Sequence, residues 1–227
     1  MRAGESPAPA LPRVLTAATL AEGARALSRR DPDLAALFAR NGLPPMWGRR
    51  PGFPTLVHIV LEQQVSIAAA NTLFRRVRAE LGDITPELVV GRGVLGLHRL
   101  GLTRQKASYC HALAQSVMDG SLSLSGIARG DDAAGRSALQ QLRGIGPWSV
   151  DIYYLMALRR PDVWPVGDLA LAIALAEVKR LRARPDAHRQ LSLSAAWAPW
   201  RSVAARLLWH YYLTTRRERR TRERRDG

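Results

Sequence analysis

The chain has 227 residues, 47% of them hydrophobic, which is enough for one large domain or two lobes sharing the chain. No apolar run approaches the ~18 residues of a membrane span, and the stretch opening Met1-Arg2-Ala3-Gly4 has no apolar leader core, so the reading is a soluble, cytoplasmic protein with no membrane partner. The net charge of +15 points to a polyanionic partner, nucleic acid first, and a single cysteine, Cys110, excludes disulfides, a Cys-x-x-Cys zinc site and a four-cysteine iron–sulfur cluster.

Residues 1–12 are rich in Ala and Pro and are expected to be disordered. Two short helices follow, near Thr16–Ser28 and Pro32–Ala39. The second has Asp31 as N-cap, Pro32 at its first position and Asn41-Gly42 at its end. Leu43–Trp47 reads as a loop. From Phe53 the pattern Leu56, Ile59, Val60 is helical and runs to Gln63-Gln64-Val65. Ser66 is the N-cap of a longer helix, Ile67 to Leu81, stopped at Gly82. Thr85-Pro86-Glu87 opens a short helix, after which Gly91, Gly93, Gly96 and Gly101 are read as breaking the chain into turns. Thr103 to Met118 is helical, and Asp131 or Asp132 caps the next helix. Leu169 to Leu181 is helical, and Pro199 starts the last long helix, through Trp209 to about Thr215. Strand alternation and internal repeats are absent, so the class is all-α. The histidines, His58, His98, His111, His188 and His210, show no metal-ligand spacing and are read as surface or packing residues.

The stretch Leu142-Arg143-Gly144-Ile145-Gly146-Pro147-Trp148-Ser149-Val150-Asp151 organises the chain. Two glycines around one apolar residue allow a tight turn with positive φ and uncovered backbone N–H groups. Pro147 suits the first position of a helix. Helical spacing on both sides, over about residues 137–158, makes the unit helix, glycine hairpin, helix. Backbone N–H groups at the head of the second helix can take a phosphate without a charged side chain. Asp168 follows in Val166-Gly167-Asp168.

That hairpin, with an aspartate at this spacing, resembles the helix-hairpin-helix DNA glycosylase superfamily. The wording Gly-Ile-Gly-Pro-Trp-Ser, then Pro165-Val166-Gly167-Asp168-Leu169, is most similar to its 3-methyladenine DNA glycosylase II branch. The resemblance covers about Pro54 to Tyr211. It implies that Asp168 is catalytic and that Gly144, Ile145, Gly146, Pro147 and Ser149 bind DNA. Gln63-Gln64-Val65-Ser66 matches the family's Gln-x-x-Ser, which adds Gln63, Gln64 and Ser66 to the DNA-binding set, with Gln64 where the family places a residue that fills the gap left by the departed base. Trp197-Ala198-Pro199-Trp200-Arg201-Ser202-Val203-Ala204 resembles the family's Trp-x-Pro-Trp-Arg-Ser-x-Ala. Trp148 and Trp209 fall on aromatic positions of the base pocket, whereas one pocket tyrosine is replaced by Ile152. Trp47, Trp164, Trp197 and Trp200 are read as core. A structural Na+ or K+ on the carbonyls of Leu142 and Ile145 is implied as well; no other cofactor is expected.

The chemistry follows from the residue types. An enzyme that acts on a base must take it out of the stack. That requires a phosphate grip, a filler for the hole, an aromatic pocket and a group for bond breaking. Breaking an N-glycosidic bond builds positive charge on the sugar, which a carboxylate stabilises while aligning or deprotonating water. An alkylated purine is already cationic and leaves without a strong general acid, and an indole face favours a cationic base. Asp168 can also serve as N-cap of the helix starting at Leu169. Relatives that cut the strand use a lysine two residues after the second hairpin glycine; here that position is Trp148, and the only lysines are Lys106 and Lys179.

The expectation is a monomeric, monofunctional glycosylase acting on double-stranded DNA with alkylated purines of the 3-methyladenine and 7-methylguanine type in base excision repair. The alternatives are a non-enzymatic helix-hairpin-helix module and a glycosylase for another damaged base. Two helical lobes are expected, with the hairpin at the mouth of the cleft between them: N-terminal helices in 13–52 packing with C-terminal helices in 168–215, and a central lobe over 53–167. Residues 216–227 hold seven arginines against three acids, either a solvated extension of the last helix or a tail that attracts phosphates.

Overall fold

The structure, a computed structural model, describes residues 13–226; the segment 1–12, expected to be disordered, lies outside the described residues. Their regular elements are all helical: α1 (Ala17–Arg30), α2 (Pro32–Asn41), α3 (Phe53–Glu62), α4 (Ile67–Leu81), α5 (Pro86–Arg99), α6 (Arg104–Met118), α7 (Leu124–Arg129), α8 (Asp132–Gln140), α9 (Pro147–Ile152), a π-helical turn (Tyr153–Ala157), α10 (Leu169–Val178), α11 (Ala187–Ser194), a 3₁₀ turn (Ala195–Trp197) and α12 (Arg201–Asp226). Among the described residues no helix is long and apolar enough to cross a membrane. The chain forms two compact units, one from the segments before Trp47 and after Leu158, the other from Trp47–Leu158.

Short polar side chains decide where most of these helices begin. Thr16, Asp31, Ser66, Thr85, Thr103, Ser123, Asp131, Asp168 and Asp186 each accept a backbone N–H from the first turn of the helix they cap, a contact worth about 1 kcal/mol. Of the two candidates at α8, Asp131 is the cap.

Several boundaries differ from the sequence reading; the helix read as Leu169 to Leu181 ends at Val178. The stretch read as turns stays helical: α5 continues to Arg99 across a kink at Gly93, where φ is +66°. Gly91 and Gly96 are carried within it because Val89 and Leu97 bury on one side, and packing outweighs the ~1 kcal/mol cost of a helical glycine. The last helix starts at Arg201 rather than Pro199, and it runs to Asp226 rather than ending near Thr215. The short helices α7 and α11 carry too few residues for a periodic signal.

In the first unit α1 and α12 come close. A Cβ on Gly23 would lie 2.8 Å from the Trp200 ring and 2.9 Å from Val203, so only glycine fits there. Trp164, Trp197 and Trp200 are buried here, as expected. Trp197 also has a polar partner, its Nε1–H donating to Asp31 Oδ2 at 2.7 Å. Lys179 Nζ donates to both Asp31 oxygens at 2.7 and 2.8 Å and to Asp33 at 2.7 Å. One carboxylate thus caps α2, holds the ammonium that follows α10 and fixes the indole before α12. Burial works against the charge on Asp31, but bonds from Lys179, Trp197 and the Leu34 N–H outweigh it and hold the carboxyl below its ordinary range.

The second unit packs α3 through the π-helical turn around Leu56, Ile59, Val60, Val77, Leu97, Leu113, Ile145 and Val150. Trp47, read from sequence as core, is only half-buried. Cys110 is buried, and burial pushes its thiol up to about 12, so it is no nucleophile at neutral pH.

Candidate active site

The hairpin begins where α8 ends. Leu142 N–H donates to Leu139 O at 3.2 Å and Ile145 N–H to Leu142 O at 3.0 Å, which folds the turn back on itself. Gly144 has φ +88°, and a Cβ there would run into the ring of Tyr109. Glycine is needed at this place for two reasons, backbone angle and space. Gly146 differs: its φ is −87° and nothing lies within 4 Å of a Cβ built on it. Its openness is toward solvent. No side-chain hydrogen bond caps α9, so its first backbone N–H groups lack the capping partner that most of the other helices have. Arg143 is exposed in the turn. The sequence reading had not singled it out.

The hairpin is tied to the α3–α4 junction. Gln63 Nε2 donates to Gly144 O at 2.8 Å and to Ser149 Oγ at 2.9 Å. Ser149 is 2% exposed, so its hydroxyl serves this bridge. Ser66 caps α4. Gln63 and Ser66, both assigned to DNA from the sequence, therefore have structural duties as well. Lys106 Nζ donates to Leu61 O and Gln63 O, each at 2.8 Å, where α3 leaves its last carbonyls without helical partners. Neither Lys106 nor Tyr109 stood out in the sequence motifs. The rarity of lysine, two among 34 basic residues, is the one signal that could have marked the former.

Between these anchors Gln64 is exposed with φ +58°, an uncommon conformation for a residue with a Cβ. Exposed Val65 and Ile67 flank it. The junction thus presents an exposed tip on a braced base.

Asp168 lies in the first unit as the N-cap of α10. Its Oδ1 accepts the Leu171 N–H at 2.9 Å and the Trp209 Nε1–H at 3.1 Å. Gly167, with φ +82°, makes the turn that delivers it. Asp168 is half-buried, and two donors on one oxygen fix the orientation of its carboxylate. The structure therefore brings Asp168 and Trp209 together, and separately joins Gln63, Gly144 and Ser149 in the second unit. Trp148, on α9, is half-buried there, and Ile152 is buried at 3% exposure.

The second unit thus carries a glycine hairpin without a side-chain cap and a braced exposed loop, and the first unit carries a capped aspartate beside an indole. The family model described as HhH-GPD superfamily base excision DNA repair protein matches residues 57–200. The chain belongs to that superfamily. YfjP of Bacillus subtilis (strain 168) is 27% identical over 184 residues, 78% of this chain and 64% of that protein. The DNA-3-methyladenine glycosylase of the same organism is 25% identical over 169 residues, 69% of this chain and 56% of that enzyme. The chain thus spans less than two thirds of the length of these two curated relatives. Among solved structures, Schizosaccharomyces pombe 3-methyladenine DNA glycosylase Mag1 in complex with abasic DNA superposes with a TM-score of 0.72 at 25% identity, covering 83% of this chain and 95% of that one.

Proposed function

We propose that the protein is a monofunctional DNA glycosylase that flips alkylated purines, of the 3-methyladenine and 7-methylguanine type, out of double-stranded DNA and hydrolyses their N-glycosidic bond, acting as a cytoplasmic monomer in base excision repair. The observation that carries this reading is the Asp168–Trp209 pair, a carboxylate held in one orientation beside an aromatic ring. As the bond breaks, positive charge grows on the sugar, and a fixed carboxylate stabilises that charge more than it stabilises the ground state. Water then adds to the sugar carbon. The indole face suits a base that is itself cationic, and Trp148 is the second aromatic assigned to the base. Gly144, Ile145, Gly146 and Pro147 grip a phosphate, and Gln64 fills the vacated stack.

Both lysines are already engaged, Lys106 with the end of α3 and Lys179 with Asp31 and Asp33. This supports hydrolysis by water over attack by an amine. The names of the Bacillus subtilis and Escherichia coli DNA-3-methyladenine glycosylases support the substrate class, and the abasic DNA held by the yeast Mag1 protein supports the product.

A monovalent cation on the carbonyls of Leu142 and Ile145 belongs to the same proposal. Leu142 O accepts one N–H and keeps a second lone pair; neutral peptide oxygens suit Na+ or K+. Such an ion would add positive charge next to the bound phosphate.

The test is incubation with methylated duplex DNA, followed by chromatography of the released bases. Release of 3-methyladenine and 7-methylguanine, leaving abasic sites without strand scission, is expected. Binding with no base released would reduce the protein to a DNA-binding module. Scission by the enzyme itself would overturn the monofunctional mechanism.

A further inference from the structure

The loop that carries Gln64 is held from outside itself. Its own main-chain bonds are long: Gln63 N–H reaches Val60 O at 3.4 Å and Val65 N–H reaches Glu62 O at 3.5 Å, beyond the usual span of such bonds. The side-chain bonds on it are short. Lys106 Nζ donates to Leu61 O and Gln63 O at 2.8 Å each, and the Gln63 amide donates into the hairpin at 2.8 and 2.9 Å. Gln63 is therefore clamped at both ends, its carbonyl by α6 and its side chain by the hairpin.

The carbonyl that Lys106 grips belongs to the peptide joining Gln63 to Gln64, whose plane sets the backbone entry of Gln64 at φ +58°. A residue with a Cβ persists at positive φ only where its surroundings over-determine it. Gln64 and Val65 are both exposed, so packing at the tip does not hold it there. A short, charge-assisted bond to the preceding carbonyl does. Tyr109, one turn after Lys106 on the same face of α6, has its ring against Gly144. One face of α6 thus meets both the loop and the hairpin.

We infer that Lys106 is a positioning residue for base flipping: by holding the Gln63 carbonyl it keeps Gln64 set to enter the duplex. With Tyr109 it makes α6 the common bracket of the gap-filling loop and the phosphate-gripping hairpin. The inference rests on the reading that this protein flips bases out of DNA. Without the clamp Gln64 relaxes toward negative φ, and insertion must first restore the set conformation, so the loss falls on flipping and not on encounter.

The test uses full-length protein carrying Lys106→Met, which keeps an apolar stem and deletes the donors, or Lys106→Arg, which keeps them. Each is made alone and together with Gln64→Ala, and helicity is checked by circular dichroism. In Lys106→Met the backbone order parameters of the Gln64 and Val65 amides should fall from about 0.85 to below about 0.6, and in Lys106→Arg they should stay high. Single-turnover excision from methylated duplex at saturating enzyme should slow roughly tenfold to a hundredfold in Lys106→Met, the scale of losing a bond to a charged group, and recover in Lys106→Arg. Affinity for undamaged duplex and its salt slope should stay at the wild-type values. In the Gln64→Ala background Lys106→Met should slow excision no further, because the two residues act as one unit.

Equal slowing in both backgrounds, or a loop that stays rigid in Lys106→Met, overturns the inference. So does a reduced salt slope with unchanged single-turnover rate, which would make Lys106 a phosphate contact. Lys106→Arg with a rigid loop and excision as slow as in Lys106→Met overturns it as well. Failure of the wild type to release any base would overturn the glycosylase reading alone, and the order parameters would then judge the clamp.

Discussion

Trp209 Nε1–H and the Leu171 backbone N–H meet on the same oxygen of Asp168, at 3.1 and 2.9 Å. Helix capping therefore leaves room for the catalytic duty proposed for this carboxylate. The cap fixes where the group sits, and the indole ties it to the ring assigned to the base.

Asp168→Asn retains a cap and removes the charge. Excision in single turnover should fall by roughly two to three orders of magnitude, the scale of losing an electrostatic contact of about 3–4 kcal/mol in the transition state. Binding to duplex DNA should hold or tighten, since a negative charge near phosphates has gone. Wild-type turnover in this variant would leave Asp168 as a cap alone.

Trp209→Phe keeps an aromatic wall and deletes the N–H donor. A hydrogen bond to a charged group contributes about 1.5–3 kcal/mol, so kcat should drop about tenfold or more with KM little changed. Trp209→Ala should raise KM as well, because the ring goes too. Equal effects in the two variants would argue that the hydrogen bond to Asp168 is not used.

The two hairpin glycines should separate. Gly144→Ala places a Cβ at φ +88° and against Tyr109, so its thermal midpoint should fall by several degrees, and DNA binding with it. Gly146→Ala meets open space and should melt like wild type while binding duplex DNA more weakly. Unaltered affinity in Gly146→Ala would remove the close phosphate approach from the scheme.

Gln63→Leu preserves volume and deletes both bonds of the bridge to the hairpin, leaving Gly144 O and Ser149 Oγ without that donor. A loss of about 1–3 kcal/mol in unfolding free energy is expected, together with weaker DNA binding. Full stability by denaturant titration would show that the bridge is incidental.

The Asp31–Lys179 pair sets a pH window for stability. Asp31 is held below its ordinary 3.8, so its contribution is present above that value and is lost as pH falls through the folded value. Lys179 is raised above 10.5, since bonds to Asp31 and Asp33 outweigh its desolvation. Its contribution is complete below 10.5 and disappears as pH rises through the folded value. Unfolding free energy should therefore decline at both extremes. Asp31→Asn should lower it by about 3 kcal/mol at neutral pH, since a largely buried ammonium loses its principal partner, and should flatten both limbs.

By itself the sequence determined what is local. Helix starts were legible at Asp31, Ser66 and Asp168 because a cap is a contact over two or three residues, and the hairpin was legible because a tight turn needs its glycines in place. Helix ends were less so: α5 survives three glycines, and α12 runs on into the arginine-rich end, because burial and ion pairs with Arg40 and Glu177 act through space. Only the tertiary structure decided that Gly144 is required by Tyr109 as well as by its φ, that Gln63 and Lys106 brace the loop carrying Gln64, and that Trp209 reaches Asp168 across 41 residues of chain. Each of these rests on atoms distant in sequence meeting within 3 Å or so. No periodicity or spacing records such meetings, because they depend on how whole helices pack.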